Sequence, residues 1–109
     1  MQLGNVRFAC LGVAVTLLMI SAGKGAAADS ANGRRIAERW CAECHLVAPG
    51  QRQASDAVPT FSEIGGSGRF DEPALAVFLA SPHHSRMPNL SLSRSEITDL
   101  VAYIKGLLR

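Results

Sequence analysis

Twelve residues constrain this chain more than any others: "RWCAECHLVAPG", Arg39 to Gly50, where two cysteines stand three apart and a histidine follows the second. The chain is short, at 109 residues, and its opening does not read as fold. Arg7 precedes an apolar run of 13 residues, Phe8 to Ile20. A bilayer-spanning helix needs roughly 20. A small-residue segment follows, with an A-x-A pattern at Ala26 to Ala28. Together these predict a secretory signal peptide over residues 1–28, cut after Ala28. The competing reading is an uncleaved membrane anchor, for which the run is short. Cys10 lies at the start of the apolar run, the wrong place for lipoprotein cleavage, and leaves with the leader. What remains, Asp29 to Arg109, is 81 residues long. A domain of that size buries too little surface to be comfortably stable without a disulfide, a metal or a cofactor. Whatever Cys41, Cys44 and His45 hold is therefore expected to be structural as well as functional.

The mature part keeps only these two cysteines and one methionine, Met87. It carries nine basic and nine acidic residues, so the +2 of the whole chain belongs to the leader. No basic excess remains to neutralise phosphates, which excludes a nucleic-acid binder driven by net charge.

Three chemistries compete for the trio. Structural zinc needs four ligands, usually a second Cys/His pair at short spacing. Only His83 and His84 lie elsewhere, and adjacent histidines point apart. A thiol–disulfide exchange pair normally opens a helix after a strand. Here a helical pattern comes before the pair and no strand is legible. Covalent haem fits best, because C-x-x-C-H is its attachment sequence. Cysteines three apart reach two vinyl groups as thioethers, and the next histidine is held beneath the iron. Export fits too, since the attachment is made outside the cytoplasm.

Three helices are predicted. The first is "SANGRRIAERW", capped by Ser30, with Ile36 and Trp40 four apart on one face and Trp40 expected in the core. The second is "DEPALAVFLAS", capped by Asp71, with Pro73 tolerated in its first turn, Leu75, Phe78 and Leu79 as its stripe, and Pro82 as its stop. The third, "SRSEITDLVAYIKGLLR", opens on a Ser93–Glu96 capping box and repeats Ile97, Leu100, Val101, Ile104 and Leu108 at helical spacing. Between the first two lies an irregular span, His45 to Phe70, with Pro49, Pro59 and four glycines. A loop this long in a compact domain usually has a job, and wrapping a large cofactor is one. Met87 stands in a proline-bounded loop, 42 residues beyond His45. It is the candidate for the second axial position, with His83 or His84 as the rival and plain core filling as the bland alternative.

"CAECH", "VPTF", "RMPNL" and the closing amphipathic helix, in that order, resemble the class I c-type cytochromes of the small bacterial monohaem type. The resemblance spans nearly all of Asp29 to Arg109. It implies an all-α cytochrome c fold, with about three main helices and loops wrapped around one covalently attached haem c. Cys41 and Cys44 would hold the haem, with His45 and Met87 on its iron. Gly33 matches the small residue that lets the first and last helices approach, with Leu100 and Tyr103 packing across from it. Pro59 matches a loop proline whose carbonyl accepts a proton from the ligating histidine and so orients it. Phe61, Ile64, Leu75, Phe78 and Leu90 are candidates to line the pocket. Arg69 or Arg86 would pair with a haem propionate.

The function implied is single-electron transfer in the periplasm by a monomer that is not an enzyme. Its partners would be redox proteins of a respiratory or dehydrogenase chain, with no nucleic acid and no membrane span in the mature chain. A haem-based gas or peroxide binder with a labile sixth ligand is the rival. A dedicated electron-accepting subunit of a periplasmic dehydrogenase is a third possibility.

Overall fold

The computed structural model describes residues 27–81 and 87–108. The leader up to Ala26, and Pro82, His83, His84 and Arg86, lie outside the described residues. Four helices follow one another: α1 Ser30–Trp40, α2 Phe61–Gly66, α3 Glu72–Ala80 and α4 Arg94–Gly106. No strand occurs among the described residues.

α4 is the hub, with α1, α2 and α3 all packed against it. Its start is the Ser93–Glu96 capping box expected from the sequence, each side chain bonding the other's backbone N–H. Leu100 and Ile104, each 1% exposed, anchor the core with Ile36, Ala37, Phe61 and Leu75. Burying an aliphatic side chain of this size contributes about 1.5–3 kcal/mol, so the apolar face of α4 is the main source of cohesion.

Gly33 is the contact point of α1 and α4. A Cβ built there would overlap the Asp99 carbonyl oxygen and lie 2.8 Å from Tyr103 Cβ, so the helices meet backbone to side chain only because glycine has no Cβ. A second bare spot, Gly65 on α2, lies against α4 in the same way, 2.6 Å from a built Cβ to the Ile104 carbonyl oxygen. Lys105 Nζ closes this corner by donating to the Gly65 and Phe70 carbonyls. The Gly65 carbonyl is an acceptor that the end of a short helix leaves without an intrahelical partner, and the Phe70 carbonyl belongs to the link between α2 and α3.

Four expectations need correction, the first being Leu108: helical spacing puts it in the closing apolar stripe, but it lies beyond the end of α4 and is 56% exposed. The cap of α1 is Asp29, whose carboxylate accepts from Asn32 N–H at 3.0 Å, and Ser30 is already helical. Either residue type caps well, and the carboxylate adds favourable charge at the helix N-terminus. Trp40 is 51% exposed rather than core, with the Arg39 guanidinium 4.9 Å above its ring. It shares a face with Ile36, but it stands at the last residue of α1, on the rim of a cleft with Cys44, Pro88 and Leu90. Finally, the span read as irregular contains α2, opened by a capping box between Thr60 and Glu63.

Candidate functional site

α1 does not stop cleanly at Trp40. Cys41 N–H donates to the Ala37 carbonyl at 2.9 Å, and His45 and Cys44 N–H donate to the Cys41 carbonyl at 2.9 and 3.2 Å. One further helical turn therefore carries the trio. Residues three and four apart share a face of such a turn, so Cys41, Cys44 and His45 are presented to one side. Cys41 and Cys44 form no disulfide, and Cys41 is buried while Cys44 is exposed.

The His45 ring is fixed from two sides. Its Nδ1 lies 2.6 Å from the Pro59 carbonyl oxygen. A carbonyl only accepts, so Nδ1 carries the proton and Nε2 keeps its lone pair for a metal. Phe61, the first residue of α2, lies against the imidazole at 5.5 Å between ring centroids and 51° between planes. The short helix α2 thus places one wall of the site, and the backbone bond from Phe61 N–H to the Leu46 carbonyl at 3.0 Å ties that wall to the residue after His45.

Cys41, His45, Pro59, Phe61 and Met87 line one cavity of about 220 Å³. Ile64, Leu75 and Phe78 line it as the sequence predicted. Leu90 lines instead an adjoining outer cleft with Trp40, Cys44, Met87 and Pro88. Phe70 is a wall residue that sequence reasoning missed. It packs edge-on to Phe78 at 5.5 Å, and its position in the supposed loop gave no periodic signal. Arg69, exposed between α2 and α3, lines neither space.

These residues fit haem on their own chemistry. The cavity walls are hydrocarbon and aromatic, two thiols stand at the margin, and an imidazole nitrogen and a thioether sulfur border the same space. They fit zinc poorly, because among the described residues no three His, Cys, Asp or Glu side chains gather where an ion would sit. Among the described residues no helix is long and apolar enough to cross a membrane.

No family model matches the chain. A protein described as cytochrome c-552, from Bradyrhizobium diazoefficiens, is 43% identical over 97 residues, 88% of this chain and 92% of that one. The crystal structure of the c-type cytochrome SorU from Sinorhizobium meliloti superposes with a TM-score of 0.53 at 24% identity, over 71% of this chain and 87% of the other. At that identity the likeness speaks for the fold, an all-α arrangement shared along most of the chain.

Proposed function

The chain belongs to the small class I c-type cytochromes, electron-carrying proteins with covalently held haem c, and on that premise we propose that it is a periplasmic single-electron carrier with His45 and Met87 as axial ligands. When bound, the haem supplies an iron that takes up and releases one electron. Everything else is done by the chain. Cys41 and Cys44 would anchor the haem edge from the one side of the turn that they share with His45, Cys41 the more deeply buried of the two. Pro59 holds the proton of His45 Nδ1 and so aims Nε2 into the cavity. Phe61 blocks rotation of the ring, and the apolar walls exclude water. Met87, on the wall of the same cavity, would supply the second ligand to the iron, and a His/Met pair would set a higher potential than two histidines.

The observation that carries this reading is the convergence of His45 and Met87 on one apolar cavity, with the far nitrogen of His45 already committed to Pro59. Two axial ligands leave no vacancy for a substrate, which favours a carrier over an enzyme. Electrons would cross near exposed Cys44, where Trp40, Pro88 and Leu90 frame the outer cleft for transient docking through a small interface. The leader would be cut after Ala28, one residue before α1 begins. A monomer exchanging electrons with respiratory or dehydrogenase partners fits the near-zero charge of the mature part.

Carbon monoxide tests the reading. The ferrous wild-type protein is expected to leave its spectrum unchanged under the gas, whereas Met87→Ala binds it readily. A wild-type protein that binds carbon monoxide at once has an open or labile iron, and the gas- or peroxide-binding reading then replaces the carrier.

A further inference from the structure

Six residues after His45, the chain returns to the haem-binding turn. Ala48-Pro49-Gly50-Gln51 forms a tight reversal, with Gly50 at φ 83° and Gln51 N–H on the Ala48 carbonyl at 3.3 Å. Proline second and a positive-φ glycine third is the type II pattern. The reversal swings the half-buried Gln51 side chain back beneath the turn that carries Cys41 to His45. Its Oε1 accepts from Val47 N–H at 2.9 Å. Its Nε2 donates toward the carbonyls of His45 at 2.8 Å, Ala42 at 3.0 Å and Gln53 at 2.9 Å. This orientation of the amide is the only workable one, because a flip would set Oε1 against three carbonyl oxygens.

One carboxamide therefore grips the peptide of the histidine, the peptide between the cysteines and, through Val47 and Gln53, the chain on either side of the reversal. Pro59 fixes the far end of the imidazole, and nothing else among the described contacts fixes the His45 carbonyl. We infer that Gln51 is a positioning residue for the axial histidine: it holds the His45 backbone at the place from which Nδ1 reaches Pro59 and Nε2 faces the cavity. The inference rests on His45 being the axial ligand.

Two measurements on the holoprotein test it. In the 15N-labelled ferrous wild type, the Gln51 side-chain amide protons are expected to exchange with solvent at least roughly fivefold more slowly than those of exposed Gln53, the factor one net hydrogen bond supplies. Equal exchange would overturn the clamp without any variant. In the ferric state, Gln51→Met, similar in length but unable to bond, is expected to shift the hyperfine-displaced haem methyl and His45 resonances. It is also expected to lower the reduced-to-oxidised ratio severalfold at the wild-type midpoint, because water reaching a loosened axial side favours the charged ferric form. Gln51→Glu keeps the bond from Val47 but opposes three carbonyls, and should move the same signals in the same sense. Helical circular dichroism should stay at the wild-type level in both variants. Unmoved resonances and potential would reduce Gln51 to a loop fastening and overturn the inference. Failure of the axial-ligand reading is separable, since the wild-type holoprotein itself would then show no His45 resonances displaced by the iron.

Discussion

Alanine at Gly33 is the sharpest test of how the fold holds its site. A methyl group there would overlap the Asp99 carbonyl oxygen and lie 2.8 Å from Tyr103 Cβ. The obstacle is backbone of the facing helix, which cannot rotate aside as a flexible side chain would. α1 and α4 must separate, and the packing of Ile36 and Ala37 against Leu100 and Tyr103 loosens with them. Overpacking of this kind costs typically about 1–3 kcal/mol, and a backbone obstacle belongs at the upper end. Alanine in place of glycine in a helix interior offsets about 1 kcal/mol. The net loss expected is about 2 kcal/mol, which lowers the melting temperature by about 8–16 °C in a domain of this size. Guanidinium and thermal unfolding of the holoprotein, followed by helical circular dichroism, read it directly. Gly68→Ala is the control, because a Cβ there meets nothing within 4 Å. If the two variants unfold within about 0.5 kcal/mol of each other, the range of an ordinary surface change, close approach at Gly33 is not what holds α1 to α4.

Two other contacts give further tests. Tyr103→Phe removes the 2.6 Å hydrogen bond from the Tyr103 hydroxyl to the Val47 carbonyl, and leaving that buried acceptor unpaired should cost about 1–3 kcal/mol in thermal unfolding; a loss near zero would mean that water replaces the hydroxyl. Asp99 accepts from Asn32 Nδ2 at 2.9 Å and from Asp29 N–H at 2.7 Å, and these bonds, the Asn32 bond first, hold its carboxyl below the usual range. The stability it adds is thus fully present above the ordinary carboxylate value of about 3.9 and is lost as pH falls through the lower folded value. Urea unfolding at neutral pH and near pH 3 should show a larger acid loss in wild type than in Asp99→Asn, and parallel losses would remove Asp99 from the acid response.

Much of the site was legible because its chemistry needs fixed spacings. C-x-x-C-H and a lone methionine in a proline-bounded loop are local patterns, the role of Pro59 came from the family resemblance, and in the fold Cys41, His45, Pro59 and Met87 line one cavity with the Pro59 carbonyl on His45 Nδ1. The Ser93–Glu96 box and the α4 stripe from Ile97 to Ile104 were equally plain, although the pattern ran one member too far, to Leu108. What escaped depends on contacts the periodicity does not encode. α2 carries the same box at Thr60 and Glu63 as α4 does, but six residues flanked by Pro59 and ending in two glycines look like a loop until they pack on Ile104. Trp40 shows the converse limit: helical spacing says which face a residue is on, not whether anything covers it at the helix end. Gln51 is invisible to both kinds of reasoning, since its role follows from a turn that carries it back to carbonyls up to nine residues away.

The most direct test of the central claim is the ferric absorption spectrum of the exported protein, read at long wavelength beside its reduced form. A closed site with His45 and Met87 on the iron is expected to give sharp reduced haem c bands and, when oxidised, the weak long-wavelength band of sulfur bound to iron, which Met87→Ala abolishes. A ferric wild-type protein without that band, or an exported chain without haem, would contradict the account.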